Sequence, residues 1–291
     1  MHPDTFTLPA PAKLNLFLHI LGRREDGFHE LQTLFQLLDY GDDLHFRLRE
    51  DEQIAVTPAL PDVAPEDNLI YRAAAMLRDA ANKTLPGVSI QLDKRLPLGG
   101  GLGGGSSDAA TTLLALNRLW HLDWPLEQLA DMGCALGADV PVFVHGHTAW
   151  GEGIGEKLTP VQVESSWYLV LKPDCEVSTP RIFKDPGLTR DTAPLTIAPA
   201  FDGNDPQYRN DCEPVVKHLY PQVEDAMNWL SQFGETRLTG TGSCVFGRFP
   251  TKFRAQEVLA SKPSGIKGFV AKGLDQSPVH KRLSELFDAK W

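Results

Sequence analysis

A glycine-rich run from Gly99 to Gly105, leading directly into a predicted helix, constrains this chain more than any other feature. Residues 96–110 read LPLGGGLGGGSSDAA, with six glycines ahead of Ser106 and Ser107. Glycine adopts positive φ angles readily and lets a ligand approach the backbone closely. The first turn of the following helix adds unpaired N–H groups and the positive end of the helix dipole. The run therefore predicts a cradle for a phosphate group.

A flexible linker is the simplest interpretation of this run, but the neighbouring segments favour a binding loop. A strand-like, alternating segment at Val88–Leu92 precedes it, and a helix is predicted from about Ser106 to Leu119. A linker need not stand between two such elements. We therefore expect a strand, a phosphate loop and a helix in that order.

Two well-known nucleotide-binding loops fit the run poorly. The glycines at 99, 101 and 104 satisfy the dinucleotide pattern G-x-G-x-x-G, with Asp123 about twenty residues further on. However, Pro97 interrupts the junction between strand and turn, and no second strand is predicted to end at Asp123. A Walker loop is excluded because no lysine occurs between Lys94 and Lys157. Binding of nucleotide phosphates by backbone amides is the interpretation that remains.

The composition indicates a globular protein large enough for two domains. The chain has 291 residues, of which 42% are hydrophobic and 23% are charged. A formal net charge of −10 argues against a nucleic-acid-binding surface, which needs clustered Lys and Arg. The four cysteines, at positions 134, 175, 212 and 244, lie far apart and match no zinc pattern, so we expect reduced thiols.

Targeting signals are not apparent in the sequence. The N-terminus has no apolar signal core, and no run approaches the roughly 20 apolar residues that a membrane helix requires. We therefore expect a cytoplasmic protein with neither a membrane nor a nucleic acid as partner. It is expected to be a monomer or a weak homodimer.

The periodicity of the chain predicts a mixed α+β class. From Ala12 to Ile20 the residues alternate as in a strand with one buried face, so Lys13 and Asn15 should project together. Further strands are predicted around Leu44–Leu48, Val140–Val144, Trp167–Leu171, Ser243–Phe249 and Gly268–Ala271. Other predicted segments are helices over Asn68–Ala81 and Thr251–Ala260, an irregular loop over Thr189–Pro206 and a domain boundary near residue 155.

The glycine run and four further motifs carry a family resemblance. The loop, with its proline, Gly-Leu-Gly and paired serines ahead of a helix, resembles that of the GHMP kinase superfamily. That superfamily is named for galactokinase, homoserine kinase, mevalonate kinase and phosphomevalonate kinase. One of its branches, whose acceptor carries a cytidine diphosphate group, is similar to this chain at four segments in order: Pro11–Leu16, Gly22–His29, Leu136–Phe143 and Leu238–Phe246.

The resemblance, which spans nearly the whole chain, implies a two-domain α+β fold with the active site in the cleft between the domains. It implies an ATP-binding kinase domain over residues 1–155 and a substrate-binding domain over residues 156–291. The implied activity is ATP-dependent phosphorylation of the 2-hydroxyl of the acceptor by direct in-line transfer, with ATP and Mg²⁺ as cofactors. A superfamily kinase of another small alcohol and a nucleotide-binding protein that transfers nothing are the alternatives.

Two residues receive catalytic roles from the resemblance. Taken alone, Lys13 reads as a solvated strand lysine, and Asp139 reads as a turn aspartate after Gly137. The resemblance instead places Lys13 beside the acceptor hydroxyl and the transferring phosphoryl group, and makes Asp139 the general base. The two side chains are then expected to lie within ion-pair reach.

The resemblance also implies a nucleotide site. Asn68 and Lys94 are assigned to the adenosine end, although they read equally as an ordinary helix-start and strand-end residue. Ser106 and Ser107 suit helix N-caps, a role compatible with contacts to phosphate oxygens or Mg²⁺. The motifs assign no protein ligands to the metal. The phosphates are assigned to the residues of the loop, namely Pro97, Leu98, Gly99, Gly100, Gly101, Leu102, Gly103, Gly104, Gly105, Ser106 and Ser107.

The acceptor site is implied at three places in the chain. The ring of Phe28, where the family usually has tyrosine, and the imidazole of His29 resemble a cytosine pocket, with Phe183 as its opposite wall. Phe183 reads equally as a core residue. Asn15 shares the strand face of Lys13, and the turn formed by Gly240, Thr241 and Gly242 is expected to close around the acceptor and the phosphates.

Overall fold

A computed structural model describes residues 5–61, 63–197 and 207–287 of the chain. Its strands are β1 (Thr5–Arg23), β2 (His29–Leu48), β3 (Ile54–Thr57), β4 (Val88–Asp93), β5 (Ala149–Gly153), β6 (Lys157–Pro160), β7 (Trp167–Lys172), β8 (Thr236–Leu238), β9 (Val245–Phe249) and β10 (Lys267–Leu274). Its α-helices are α1 (Leu69–Ala81), α2 (Gly104–Leu119), α3 (Leu126–Leu136), α4 (Val140–His145), α5 (Thr179–Lys184), α6 (Glu213–Leu219), α7 (Pro221–Leu230), α8 (Lys252–Ala260) and α9 (Pro278–Phe287). Short 3₁₀ turns lie at Pro65–Asp67 and Ser231–Phe233.

A single hydrogen-bonded sheet runs through both halves of the chain. Its strands follow the order β3-β4-β2-β10-β7-β9-β8, while β1 and β5 also pair with β2, and β6 pairs with β5. The β3–β4 pair is parallel, whereas β2 pairs antiparallel with β1, β4, β5 and β10. Because the 20-residue β2 pairs with strands from both ends of the sequence, it joins the two halves.

Apolar side chains form two separate cores with a third cluster between them. In the first core, buried side chains of α1 to α4 pack together with those of β1, β2 and β4, and Leu113 of α2 is fully buried there. In the second core, α6, α7 and α8 pack on β7 to β9 around Val216 and Leu230. The third cluster, which includes Phe17 and Tyr168, lies where the two halves meet. This arrangement confirms the predicted α+β class.

The boundary predicted near residue 155 falls in the turn of the β5–β6 hairpin. Strand β6 pairs with β5, which in turn pairs with β2, so residues 157–160 continue the first sheet. The C-terminal helix α9 also returns to the first core, where Val279, Leu283 and Phe287 are buried. The division into residues 1–155 and 156–291 stays a prediction, and parts of the second segment pack with the first.

The segment predicted as a strand over Val140–Val144 is the helix α4, so that prediction was wrong. Its β-branched valines resemble a buried strand, but Pro141 lies in the first turn of the helix, where its fixed φ is favourable. The Val140 N–H bonds to the carbonyl of Gly137 and the helix ends at Gly146, whose φ is +68°. As a result, Asp139 occupies the N-cap position of α4 rather than a turn before a strand.

Other elements differ from the prediction mainly at their ends. Helix α2 begins at Gly104 rather than Ser106, because Gly103 ends the loop with a φ of +71°. Strand β1 extends beyond the predicted segment on both sides, and β9 begins at Val245. Residues 189–197 form no helix or strand, as predicted, and the remainder of that predicted loop lies outside the described residues. Among the helices described, none combines the length and the apolar character needed to cross a bilayer.

Candidate active site

A cavity of about 280 Å³ lies between the two halves of the molecule. Predicted catalytic, phosphate-loop and acceptor residues from both halves meet there, as expected for a site in a cleft. The residues that line it are Lys13, Asn15, Leu18, Leu31, Thr33, Phe35, Gly101, Ser106, Ala138, Asp139, Ile154, Gly155, Thr179, Phe183, Gly240 and Thr241.

Lys13 is a buried cation at the wall of this cavity. It lies on β1 between two irregularities in the pairing with β2, and such bulges reorient side chains. Its side chain is 3% exposed, and its Nζ lies 3.1 Å from Asp139 Oδ2 and 2.6 Å from Asn15 Oδ1. The same Nζ lies 5.5 Å from the centre of the Phe35 ring. The predicted proximity of Lys13 to Asp139, and its shared face with Asn15, are therefore confirmed.

Asp139 reaches the cavity from the start of α4. Its side chain is 33% exposed, so one side faces Lys13 while the other remains open to a ligand. The carboxylate makes no hydrogen bond to the helix that it precedes. An ionised carboxylate with free acceptor capacity beside a buried ammonium group can orient and deprotonate a hydroxyl.

The Thr239 hydroxyl connects the parts of the site, although no sequence pattern predicts a role for this residue. It accepts a hydrogen bond from the Asn15 backbone N–H at 3.0 Å and donates one to the Gly101 carbonyl at 3.1 Å. Asn15 is further fixed by its Nδ2, which donates to the Thr33 hydroxyl at 2.9 Å. Thr239 is fully buried, so it ties β1, the glycine loop and the segment after β8 into one rigid unit.

The glycine loop lies against the segment that follows β8. The N–H groups of Ser243 and Cys244 donate to the carbonyls of Gly99 and Gly100, at 3.2 and 3.1 Å. Gly101 has a φ of +73°, and a Cβ placed on it would lie 2.2 Å from the Thr239 carbonyl oxygen. This position therefore admits no side chain in the observed arrangement.

The other loop residues divide between the surface and the interior. Leu98 is 46% exposed, whereas Leu102 is buried in the core with its carbonyl accepting from the Lys13 N–H at 3.0 Å. Gly104 and Gly105 already belong to α2. Gly101 and Ser106 are the members of the predicted phosphate site that line the described cavity. Nucleotide contacts by Pro97 and the remaining loop residues stay predictions.

Lys94 and Asn68 both already have partners in the protein. The Lys94 Nζ bonds to Asp42 at 2.6 Å and to Asp108 at 2.8 Å. Burial lowers the Lys94 pKa, but the nearby Asp108 and Asp42 carboxylates outweigh it, so its pKa lies above its usual value. Asn68 caps α1 by accepting from the Ile70 N–H at 2.9 Å. Their assignment to adenosine stays a prediction.

A second cavity of about 430 Å³ adjoins the first and shares five lining residues with it, namely Leu31, Ala138, Ile154, Thr179 and Phe183. Phe28, His29 and Phe183 all line this second cavity, so the three predicted pyrimidine contacts lie together. The rings of His29 and Phe183 stack with their centres 5.0 Å apart. Phe28 is 58% exposed, which leaves its ring free to contact a ligand.

The predicted turn at residues 240–242 reaches the first cavity through Gly240 and Thr241. The Thr241 and Thr179 hydroxyls lie 2.7 Å apart and form a hydrogen bond. Gly242 is buried behind the turn, where its N–H donates to the Thr239 carbonyl at 2.9 Å. The structure thus brings two of these three residues to the cavity wall.

The described oxygen donors suit Mg²⁺ carried in with a nucleotide better than a metal held by protein alone. Across residues 5–61, 63–197 and 207–287, no group of three or more His, Cys, Asp or Glu is placed to hold a metal ion. The Ser106 hydroxyl lines the cavity, and the Ser107 Oγ is buried with no hydrogen-bond partner in the described chain. Mg²⁺ commonly takes only one or two protein oxygens together with substrate phosphates and water.

Family models match both halves of the chain. The model described as "GHMP kinases N terminal domain" matches residues 68–147, and "GHMP kinases C terminal" matches residues 198–261. Among solved structures, a "4-(cytidine 5'-diphospho)-2C-methyl-D-erythritol kinase" superposes with a TM-score of 0.79 at 31% identity, covering 92% of this chain and 99% of that one. A mevalonate kinase superposes with a TM-score of 0.70 at 14% identity over 93% of this chain and all of the other, a likeness of fold alone.

Sequence relatives are closer still. A protein of Marinobacter nauticus named 4-diphosphocytidyl-2-C-methyl-D-erythritol kinase is 61% identical over 96% of this chain and 98% of its own length. A protein of the same name from Pseudomonas syringae pv. syringae is 57% identical over 98% of this chain and 100% of its own. The chain therefore belongs to the 4-diphosphocytidyl-2-C-methyl-D-erythritol kinase family of the GHMP kinases.

Proposed function

We propose that this chain transfers the γ-phosphoryl group of ATP to the 2-hydroxyl of 4-diphosphocytidyl-2-C-methyl-D-erythritol, releasing ADP. The reaction is a step of the non-mevalonate isoprenoid pathway. The observation that carries the proposal is the Lys13–Asp139 pair, which lies 3.1 Å apart in a cavity that also receives the glycine loop. Full-length relatives that bear this enzyme's name support the choice of acceptor.

Asp139 is the proposed general base. Its partly exposed carboxylate accepts the proton of the acceptor hydroxyl as that oxygen attacks the γ-phosphorus. The bond between the γ-phosphorus and the bridging oxygen of ADP breaks in the same in-line transfer. General bases of this kind contribute roughly 10²- to 10⁴-fold to the rate.

Lys13 is proposed to stabilise the negative charge on the transferring group and to orient Asp139. Asn15 and the Phe35 ring hold its ammonium group in place, so little reorganisation is needed during the reaction. Because Lys13 is almost fully buried, its charge acts in a poorly screened environment.

Backbone N–H groups at the glycine loop and the start of α2 are proposed to bind the phosphates of ATP. Ser106, with Ser107 behind it, would hold Mg²⁺ together with phosphate oxygens, and the ion when bound neutralises part of the phosphate charge. Thr239 keeps this loop in register with Lys13 and Asn15. Asn68 and Lys94 are proposed to form the adenosine end.

The second cavity is proposed to hold the cytosine base. Phe28 offers an aromatic face, while His29 and Phe183 form a stacked wall. Phe28 and His29 come from the first half of the sequence, so acceptor binding is not confined to residues 156–291. Gly240 and Thr241 would contact the acceptor between base and reacting hydroxyl. A cytoplasmic location and a monomeric or weakly dimeric state stay predictions.

Mg²⁺-dependent ADP release tests the proposal when it is measured with several alcohols. We expect release with the cytidyl acceptor and none with mevalonate, homoserine, galactose or no acceptor. Release with another alcohol would retain a GHMP-type kinase but reject the cytosine pocket. Tight ATP binding without ADP release in the presence of any acceptor would indicate a nucleotide-binding protein without transfer activity.

A further inference from the structure

Arg190, which lies in the loop after α5, connects the two stacked rings of the second cavity. Its Nη2 donates to the carbonyls of Phe183 and Asp185, both at 2.8 Å, and its Nη1 donates to the Leu188 carbonyl at 3.0 Å. Its Nε donates to the His29 Nε2 at 3.2 Å. One guanidinium group therefore fixes the end of the helix that carries Phe183 and also the ring that stacks on it.

The bond from Arg190 determines which nitrogen of His29 carries hydrogen. A guanidinium group has donors and no acceptor, so the His29 Nε2 must be the acceptor. In a neutral imidazole the hydrogen then resides on Nδ1. The Nδ1 atom makes no hydrogen bond to the described part of the chain, and His29 lines the cavity. The ring thus has an N–H donor without a partner among the described residues, on a side chain that lines the proposed base site.

The electrostatic surroundings keep this ring neutral. Burial is the largest cause that lowers the His29 pKa below its usual value, and the positive charges of Arg190 and Arg23 lower it further. His29 is 8% exposed. A protonated ring would have donors on both nitrogens and would lose its bond from Arg190, so the observed contact also requires the neutral form.

The two common pyrimidines differ at the atom that such a donor would contact. Cytosine has an unprotonated N3, which accepts a hydrogen bond, whereas uracil carries a hydrogen on N3. A fixed N–H donor in the protein can therefore bond to N3 of cytosine, whereas it would face the N3–H donor of uracil. A site with a buried donor discriminates strongly against a ligand that presents another donor to it, because the buried donor then stays without a hydrogen-bond partner.

We propose that Arg190 is a positioning residue that holds His29 in its Nδ1–H form, and thereby sets how strongly the base site prefers a cytidine over a uridine diphosphate group. The inference rests on the proposed function, since it concerns the base of the proposed acceptor. Arg190 itself does not contact the reacting atoms. Its effect passes through the His29 ring.

Nitrogen-15 NMR of the histidine rings tests the first half of this proposal without any ligand. In the unmodified protein at neutral pH we expect His29 to show a protonated Nδ1 and an unprotonated Nε2. In Arg190→Met we expect the hydrogen to redistribute toward Nε2. Arg181→Met is a matched control, because Arg181 lies on α5 beside the Tyr220 ring and has no contact with His29. A protonated Nε2 in the unmodified protein would overturn the proposal.

Calorimetric binding of CDP and of UDP tests the second half. We expect the unmodified protein and Arg181→Met to prefer CDP, and Arg190→Met to lose roughly tenfold of that preference. In Arg190→Met the KM for the cytidyl acceptor should rise by a similar factor, while the KM for ATP should stay unchanged. An unaltered CDP preference in Arg190→Met would refute the role of Arg190 and leave the proposed kinase activity intact. Equal binding of CDP and UDP by an active unmodified enzyme would refute the selectivity.

A second variant separates this role from simple support of the loop. His29→Phe keeps an aromatic ring for stacking and leaves the three carbonyl contacts of Arg190 in place. We expect it to lose the CDP preference as Arg190→Met does, and the double variant to lose no more. A further loss in the double variant would show that Arg190 acts on the base independently of His29 and would overturn the proposal. If the active-site assay also fails with the cytidyl acceptor, the proposed function itself is rejected.

Discussion

The glycine at position 101 offers a quantitative test of the proposed phosphate loop. In Gly101→Ala, the new Cβ would lie 2.2 Å from the Thr239 carbonyl oxygen, about 1.2 Å inside the 3.4 Å at which ordinary contact begins. Since that neighbour is backbone, the loop itself must move. Three effects lower the stability of the variant. The positive φ costs an L-residue about 1–2 kcal/mol, and the strained contact with Thr239 costs about 1–3 kcal/mol. Loss of the hydrogen bond from the Thr239 hydroxyl costs about 1 kcal/mol.

Gly99→Ala is the matched control for stability. Gly99 has a φ of +62°, close to the +73° of Gly101, but a Cβ there meets nothing within 4 Å. We expect urea titration to give a loss in unfolding free energy of about 1 kcal/mol for Gly99→Ala and about 3 kcal/mol or more for Gly101→Ala. Equal losses would refute the close approach of the loop to Thr239.

The same displacement should affect catalysis. If the phosphates bind as proposed, a loop shift on the order of 1 Å would misplace them relative to Lys13 and Asp139, and such shifts cost roughly 100-fold in rate. Steady-state kinetics of Gly101→Ala with the cytidyl acceptor should therefore show kcat/KM for ATP reduced by about that factor. A folded Gly101→Ala enzyme with near-normal kcat/KM would contradict the placement of the phosphates at this loop.

Substitutions at three further positions test separate parts of the structure. Asp139→Asn keeps the size of the side chain but removes the proposed base, so turnover should fall roughly 10²- to 10⁴-fold. Calorimetry should show an ATP affinity within a few-fold of that of the unmodified protein, and near-normal turnover would reject Asp139 as the base. Thr239→Val removes the hydroxyl that bonds to Asn15 and Gly101, so it should lower the unfolding free energy by about 1–3 kcal/mol. Thr239→Ser keeps a hydroxyl and should lower the unfolding free energy less. Equal decreases in the two variants would contradict the stabilising role of the hydroxyl. Burial raises the pKa of Asp108 to about 7, despite the opposing charge of Lys94. Between about pH 4 and 7 the folded state therefore binds one more proton than the unfolded state. The unfolding free energy consequently decreases as pH rises through that window. Asp108→Asn should remove this decline from the urea midpoints, and identical pH profiles for the two proteins would contradict it.

Local sequence patterns predicted the parts of the site that are close together in the chain. The alternation from Ala12 to Ile20 placed Lys13 and Asn15 on one face because a strand repeats every two residues. The glycines identified the loop because few other residues accept positive φ. The same local reading failed at Val140–Val144, where β-branched residues resembled a strand although Pro141 begins a helix.

Contacts between distant residues were not predictable from one sequence. The hydrogen bond from Asn15 to Thr239 spans 224 residues, and that from Arg190 to His29 spans 161. Neither Thr239 nor Arg190 has a local pattern that marks its role, since each acts through a partner brought close only by the fold. The same holds for Asp42 and Asp108, which meet at Lys94. Patterns of spacing report on one element at a time, whereas these contacts join several.

Phosphorus-31 NMR of the reaction product tests the central claim most directly. Purified protein, ATP, Mg²⁺ and 4-diphosphocytidyl-2-C-methyl-D-erythritol should give one new phosphate monoester in equal amount to the ADP formed. Its phosphorus should couple to the carbon that bore the 2-hydroxyl in the acceptor. Asp139→Asn should give neither product at a comparable rate. Inorganic phosphate with unchanged acceptor, or a phosphate on another oxygen of the acceptor, would contradict the proposed transfer at the Lys13–Asp139 pair.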